Sequence, residues 1–456
     1  GAWKVTNPGG AGVSATFADF DNDGDPDLYV VNDAIDSNGQ PTLQGNRLYR
    51  NEFAQGHAAF TDISVSAGVG TQGNGASASW GDYDGDGYLD LYAVTGDMHD
   101  PPITYYQQDH LFRNEGDGTF TDVTCQSLPT NDQGSGFCPD PAFGGSTGSG
   151  FEAVWIDYDG DGDQDLYLAQ DYYFALAHKD MNRLYRNDGL DQSTGHWKFT
   201  DVCAGGGGAE CLKINSMGVA VGDVDGDQWP DIAVSNSGYK GGNVLLRNDQ
   251  DGTFTEMGAT AGIARPDQTA TVLAVTWGLG FADFDLDGFE DLYVAAGSLA
   301  GAATQPNQLF AGTGDASFFD LSAPSGATDP GAGRGVSLAD YDRDGLVDLY
   351  LVDVNGSPIL YRNVTAASGT WVEVKLTGRA SNRDGCGARV VITPDGQSSQ
   401  ARWMVCGSSL GAGNDPLLHF GGVGSGGFRL DVVWPSGVHQ ALRGTAVDRL
   451  VKVKEP

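Results

Sequence analysis

Short apolar runs with a period of two recur along nearly the whole chain, separated by clusters of Gly, Asp, Asn and Ser. Such alternation reads as half-buried β-strand bounded by turns. The pattern is also a repeat. Six times a small or apolar alternation, such as Ser79-Trp80-Gly81 or Val154-Trp155-Ile156, runs into D-x-D-x-D-G-x-x-D (Gln in place of the Gly in the fourth copy) and then into a β-branched and aromatic stretch. These copies occupy 19–31, 82–94, 157–169, 223–235, 283–295 and 340–352. A second phrase follows each one: NRLYRNE at 46–52, with counterparts at 110–118, 182–188, 243–249, 307–313 and 358–364. A third, FTDIS at 60–64, has counterparts at 120–124, 199–203, 254–258 and 318–322, and the sixth copy lacks it.

One unit is therefore strand, Asp loop, strand, loop, strand, turn, strand, repeated about every 60 residues. Four antiparallel strands of this length repeated around a ring make a β-propeller blade. Six copies predict six blades. Trp3-Lys4-Val5-Thr6 looks like the fourth-strand phrase, so the N-terminal strand is expected to complete the last blade and latch the ring. The competing arrangement is a seventh blade built from the C-terminal segment. Otherwise residues 370–456 show about seven short strands (WVEVKL, GARVVIT, QARWMVC, LLHF, FRLDVVW, VHQAL, LVKVK) and predict a small β-sandwich. The expected fold is all-β, a propeller over 1–365 followed by a β domain over 366–456.

Charge narrows the function classes. The 456 residues carry 61 acidic against 25 basic side chains, a formal charge of −36. Nucleic acid is a poor partner for such a surface, because phosphate binding runs on clustered Lys and Arg. No apolar run nears about 18 residues, so no membrane insertion is expected. The acid is concentrated: each of the six loops gathers four Asp at one fixed spacing. Carboxylates this dense repel one another unless a cation intervenes.

The loop shares its first six positions with an EF-hand, which needs Glu at position 12 and flanking helices. Position 12 here is Val30, Ala93, Leu168, Val234, Val294 and Leu351. Closure at position 9 replaces it. Side-chain oxygens at 1, 3, 5 and 9, with the backbone carbonyl at 7, suit a hard cation taking many oxygens, which is Ca²⁺. About six ions are expected. The ligand candidates are Asp19, Asp21, Asp23, Asp25 and Asp27; Asp82, Asp84, Asp86, Tyr88 and Asp90; and Asp157, Asp159, Asp161, Asp163 and Asp165. In the second half of the ring they are Asp223, Asp225, Asp227, Trp229 and Asp231; Asp283, Asp285, Asp287, Phe289 and Asp291; and Asp340, Asp342, Asp344, Leu346 and Asp348. Gly at position 6 permits the sharp turn, and Gln228 replaces it in the fourth loop, which is therefore expected to be the first site lost.

These residues resemble the FG-GAP (VCBS) repeats of integrin-like propellers. Asn382-Arg383-Asp384-Gly385-Cys386-Gly387-Ala388-Arg389-Val390, Asn414 to Gly421 and Trp434-Pro435-Ser436-Gly437 resemble the ASPIC/UnbV signature. Together they cover nearly the whole chain and resemble the cartilage-acidic-protein-like family. That resemblance implies a secreted calcium-binding propeller with a small C-terminal β domain.

Six cysteines stand at 125, 138, 203, 211, 386 and 406 without zinc-like spacing. Three sequence-local pairs, Cys125–Cys138, Cys203–Cys211 and Cys386–Cys406, fit disulfides in an oxidising compartment, six buried thiols being the alternative. Because no signal peptide is visible at Gly1, the expected form is mature and secreted, extracellular or at the cell surface.

Insertions at 33–45, 96–109, 126–149 and 170–181 fall in loops opposite the Asp loops, where binding usually resides on a rigid scaffold. Tyr105, Tyr106, Tyr172, Tyr173 and Phe174 are candidates to stack on a sugar or grip a protein. Little points to catalysis. G-x-S-x-G occurs at Gly144–Gly148 and Gly407–Gly411, as expected by chance among 69 glycines, and neither sits at a clear strand-to-helix elbow. His99, His110 and His178 lie near insertions and are expected to have surface or structural roles, ligation of a metal with Asp100 or Asp109 being the alternative. The leading expectation is a non-enzymatic binding or adhesion protein with an extracellular protein or glycan ligand. The rivals are a carbohydrate-active lyase, hydrolase or isomerase on a propeller, and a self-assembling subunit of an extracellular structure.

Overall fold

The computed structural model describes residues 5–33, 44–57, 59–71, 75–96, 109–128, 150–171, 181–204, 207–237, 242–264, 275–297, 305–354, 356–366 and 369–456. Among them, each of the six repeats folds as one antiparallel sheet, here blades 1 to 6. The inner strands are Ala11–Ala18, Gly75–Gly81, Gly150–Ile156, Ser216–Gly222, Thr276–Ala282 and Gly333–Ala339. Each leads through its Asp loop into a second strand that begins at the ninth loop residue, as Asp90–Thr95 does in blade 2. The LYRN phrase forms the third strand and FTDV the outer one, as in His110–Asn114 and Phe120–Asp122. Blade 6 has three strands among the described residues and ends at Ile359–Tyr361. A four-residue helical turn follows the outer strand in blades 1, 2, 5 and, as Gly258–Ala261, blade 4.

Adjacent blades are joined by a seam with three parts. In blade 2 the inner-strand Trp80 packs on Phe20 and Tyr29 of blade 1. In blade 3 Trp155 packs in the same way on Tyr83 and Tyr92 of blade 2. In blades 2, 3, 4 and 6 the Asn closing the LYRN phrase then donates its side-chain N–H back to the preceding blade. Asn114 reaches the Phe20 carbonyl (2.9 Å), Asn187 that of Tyr83 (2.8 Å), Asn248 that of Tyr158 (2.8 Å) and Asn363 that of Phe284 (2.8 Å). Blade 5 has Gly312 at this position, and the Ala316 backbone N–H takes the waiting Val224 carbonyl instead (3.0 Å).

The C-terminal segment does not form a blade. It folds as two sheets, Leu418–Phe420, Val372–Thr377 and Arg449–Lys454 in one, and Gln400–Trp403, Arg389–Pro394, Phe428–Val433 and His439–Gly444 in the other. The seven strands fall where the alternation predicts them. Val374, Val390, Ile392, Phe420, Val432 and Trp434 fill the space between the sheets.

This domain sits on the Asp-loop face and sends a loop, 404–415, into the propeller channel. Trp80 N donates to the Cys406 carbonyl (2.8 Å), Ser409 exchanges two backbone bonds with Val219 (2.8 and 2.9 Å), and Ala15 N reaches the Gly411 carbonyl (3.4 Å). Gly411 N donates to Glu152 Oε2 (2.5 Å), Val336 N to Ser409 Oγ (3.1 Å) and Leu338 N to Asn414 Oδ1 (3.0 Å). The approach requires glycine on the channel wall, because a Cβ on Gly218 or Gly278 would collide with Ser409. The G-x-S-x-G at Gly407–Gly411 is therefore a plug, and the other lies outside the described residues.

Cys203–Cys211 and Cys386–Cys406 are disulfides. Cys125 is also disulfide-bonded, while Cys138 lies outside the described residues. No helix of the described residues is long and apolar enough to cross a membrane. The latch residues Trp3 and Lys4 lie outside the described residues, whereas Thr6 rests against blade 1, its carbonyl accepting from the Tyr49 hydroxyl (2.8 Å).

Candidate metal centres at the domain interface

Each Asp loop is built by its own carboxylates. The first Asp accepts the N–H of position 6: Gly24 on Asp19 (2.8 Å), Gly87 on Asp82 (3.1 Å), Gly345 on Asp340 (2.7 Å). The fifth accepts the N–H of position 7, as Asp25 N on Asp23 (2.9 Å), Tyr88 N on Asp86 (2.9 Å) and Trp229 N on Asp227 (2.8 Å). The ninth is a staple between strands. Asp90 accepts from Asn114 N (2.8 Å) with one oxygen and from Tyr83 N (3.2 Å) with the other, and Asp165, Asp231, Asp291 and Asp348 repeat the pair. The turn needs positive φ twice, at positions 4 and 6. Loop 4 has its Gly at position 4 and Gln228 at 6 (φ 70°), whereas Asn22, Leu286 and Arg343 take the left-handed position 4 in loops 1, 5 and 6.

These bonds draw carboxylate oxygens together. In loops 1, 3 and 5 the converging groups are positions 1, 3 and 9 (Asp19, Asp21, Asp27; Asp157, Asp159, Asp165; Asp283, Asp285, Asp291). In loops 2 and 4 they are positions 1, 3 and 5 (Asp82, Asp84, Asp86; Asp223, Asp225, Asp227), with ligand atoms within 4.8 Å of one another in every group. Asp19 Oδ1, Asp27 Oδ2 and Asp159 Oδ1 are buried without a hydrogen-bond partner. Burial first, and then neighbouring Asp384, lift Asp19 to about 7; burial lifts Asp27 to about 9 and Asp291 to about 8. Charge in these loops is disfavoured unless a cation shares it. An all-oxygen donor set with orphaned buried oxygens fits a hard divalent ion.

The Arg of the LYRN phrase stands beside five of the six clusters. Arg50, Arg113, Arg186 and Arg247 are each held by an acid two residues on: Glu52 (2.9 Å), Glu115 (2.7 Å), Asp188 (2.8 Å) and Asp249 (2.6 Å). Blade 5 has Ala311 there. Blade 6 has Arg362 but Val364 two residues on, so the guanidinium turns onto Asp342 (2.6 Å) and Asp344 (2.9 Å).

The C-terminal domain seats on position 6 of most loops. Arg383 packs over Gly24 and Ala380 over Gly87, Gln400 meets Gly288, and Trp371 lies against Gly345. In loop 4 the side chain that replaces Gly is used: Gln228 Oε1 accepts from Arg389 (3.1 Å). Beneath it Arg402 pairs with buried Glu290 (3.0 Å), whose other oxygen accepts the Asp223 N–H (2.8 Å). Burial lifts Glu290 to about 7 while Arg402 opposes that rise.

The aromatic candidates Tyr105, Tyr106, Tyr172, Tyr173 and Phe174 lie outside the described residues, as do His99 and His178. His110 pairs with Asp122 (2.7 Å), and Asp109 accepts from Tyr92 and Thr95. Both are tied into blade 2.

Comparison with known proteins agrees with this architecture. Residues 157–234, 223–294 and 283–351 match the FG-GAP-like repeat, and residues 378–456 match the ASPIC and UnbV family. The chain is an FG-GAP-repeat β-propeller carrying an ASPIC and UnbV domain. It resembles cartilage acidic protein 1, at 26% identity over 332 residues to the Mus musculus protein (71% of this chain, 46% of that one). The Homo sapiens protein is 24% identical over 423 residues (80% of this chain, 60% of that one), so the chain spans about half the length of the curated relatives it matches. Among solved structures, a rhamnogalacturonan lyase of Bacillus licheniformis aligns over 97% of this chain and 72% of its own at 15% identity, with a TM-score of 0.38 that carries no argument about activity.

Proposed function

We propose that this chain is a secreted, calcium-stabilised binding protein whose Asp loops hold Ca²⁺ structurally and whose opposite face receives an extracellular protein or glycan. The observation that carries the reading is the C-terminal domain lying on the Asp loops, with its plug in the channel. A cation in those loops has protein on two sides and works as a fastener. Asp19, Asp21 and Asp27, and the corresponding groups in the other loops, would hold it. Binding then falls to the far face, to which the strand order in the sequence assigns the insertions. The likeness to cartilage acidic protein 1 supports the extracellular setting. Calcium titration by calorimetry, with melting followed in calcium and in chelator, tests the first half: several ions bound per chain and a melting temperature lowered by many degrees on chelation are expected. An unchanged melting temperature after confirmed metal removal would sink it. A glycan and protein array tests the second, saturable binding without turnover being the expected result and turnover of a bound glycan the one that overturns it.

A further inference from the structure

One pair of polar side chains in the C-terminal domain is buried yet turned away from that domain's own core. Glu373 and His419 stand opposite one another on the neighbouring strands Val372–Thr377 and Leu418–Phe420, and directly opposed residues hold their Cβ atoms about 5 Å apart. Val372, Val374, Leu418 and Phe420 on either side fill the sandwich, so alternation sends Glu373 and His419 out of the other face, against the propeller. There they line a cavity of about 120 Å³ together with Asp415, at the end of the plug, and Asp340 of loop 6.

The protein leaves three of these groups unsatisfied. Glu373 is 6% exposed, and its carboxylate makes no hydrogen bond or ion pair among the described residues. Burial first, then Asp340 and Asp415, lift it to about 7, with Arg343 opposing. The Asp415 carboxylate is likewise without a bond, and Lys375 and Arg343, whose charges reach it, form no ion pair with it. His419 Nε2 lies 3.0 Å from the Gly345 carbonyl. A carbonyl only accepts, so Nε2 carries the hydrogen and Nδ1 presents a bare lone pair, buried with no partner. Burial holds the ring down to about 4, hence neutral, and Trp371 stacks on it (6.2 Å between centroids). Asp340, by contrast, belongs to its loop, its two oxygens accepting from Asp344 N (3.1 Å) and Gly345 N (2.7 Å).

We infer that Glu373, His419 and Asp415 form a second kind of metal site, for one divalent cation of the zinc class, where the C-terminal domain seats on the ring. Two carboxylates and a neutral imidazole make a mixed oxygen and nitrogen set that suits zinc, whereas the all-oxygen Asp loops suit a harder ion. A ligating histidine is commonly held by its other N–H on a backbone carbonyl, as Gly345 holds His419. Three protein ligands leave a fourth position for water, and the cavity has room for one. Arg402 Nη2 is an unpartnered donor on the same wall, but an anion drawn to it would face the carboxylates of Asp340, Glu373 and Asp415. A cation satisfies the two orphaned acids and the bare nitrogen at once. It would also tie two strands of the C-terminal domain to the end of the plug.

Metal analysis of the 456-residue chain tests the assignment. The protein is dialysed against zinc in saturating calcium and then against calcium alone. Zinc and calcium are counted separately, so the result does not depend on whether calcium fills the Asp loops. One zinc per chain should be retained, and X-ray absorption at the zinc edge should show one imidazole among oxygen ligands. His419→Gln and Glu373→Gln should each weaken zinc by at least about tenfold, the loss that removing even a ligand's hydrogen-bond partner brings, with circular dichroism unchanged. If no zinc is retained in calcium, the cavity holds water alone and the proposal is overturned. Zinc held equally by both variants overturns it too, because the ion then sits elsewhere, on an exposed histidine such as His439 or in an Asp loop. Where a variant fails to fold, the absorption spectrum of the parent decides: an all-oxygen shell excludes His419 and with it the site.

Discussion

Arg362 differs from its four counterparts in what stands two residues on. With Val364 in place of an acid, its guanidinium bonds Asp342 and Asp344, the third and fifth positions of loop 6. A cation entering that loop must displace it, so loop 6 is expected to bind calcium most weakly. Arg362→Ala should tighten the weakest calcium site about fivefold, as losing a competing exposed ion pair does, and calorimetric titration with Asp342→Ala as the control reads it. Reading the sequence alone puts the weakness at loop 4, because Gln228 takes the place of Gly. The geometry gives Gln228 another part: it keeps the left-handed turn (φ 70°) while loop 4 has Gly226 at position 4, and it accepts from Arg389 of the docked domain. Position 4 was invisible as a special position because Asn22, Leu286 and Arg343 fill it in half the loops.

At the scale of elements, what could be read was what depends on near neighbours. Asp loops and strand phrases repeat at fixed spacing, so blades and C-terminal strands fall where alternation puts them. The seams could not be read, since Asn114 meets Phe20 across 94 residues and Asn187 meets Tyr83 across 104. In the sequence those Asn are merely the end of LYRN. Glu455 is a similar case, an unremarkable acid near the chain end that pins the last strand of the C-terminal domain. Its carboxylate accepts the N–H groups of Arg379 (2.6 Å), Ala380 (2.7 Å) and Ser381 (2.9 Å), with the Ser381 and Ser436 hydroxyls on its other oxygen. Burial would raise it, but the Ser436 hydroxyl and those N–H groups outweigh that and pull it down to about 2. A folded value below the ordinary 4.5 means its stabilisation is present above pH 4.5 and lost as pH falls toward 2. Glu455→Gln should cost about 2 kcal/mol at pH 7, from loss of charge-assisted bonds, and the deficit should shrink in acid. Urea unfolding at pH 7 and pH 3 measures both, and an equal deficit at the two would contradict the assignment.

For the whole molecule, the plug makes one body of two folds, and Glu152 is a buried titratable group that touches the plug itself. It lies fully buried on the blade 3 inner strand, where its Oε2 accepts the Gly411 N–H (2.5 Å) and its Oε1 that of Ala153 (3.2 Å). Burial raises it to about 8, with those two N–H groups opposing. Because the folded value exceeds the ordinary 4.5, the native state holds this proton more tightly than the unfolded chain. Its contribution is therefore full below pH 4.5 and is lost progressively as pH rises through about 8. The Asp loops titrate as well, so the measurement belongs in saturating calcium, their proposed occupant, which would hold their carboxylates ionised. Glu152→Gln keeps an oxygen for Gly411 and removes the proton. Scanning calorimetry from pH 5 to pH 8 should show the melting temperature of the parent falling relative to the variant, the gap widening with pH. Curves that stay parallel would mean Glu152 carries no proton at the junction. A gap of the opposite slope would mean that the plug seats on the ionised carboxylate, with Gly411 donating to a full charge.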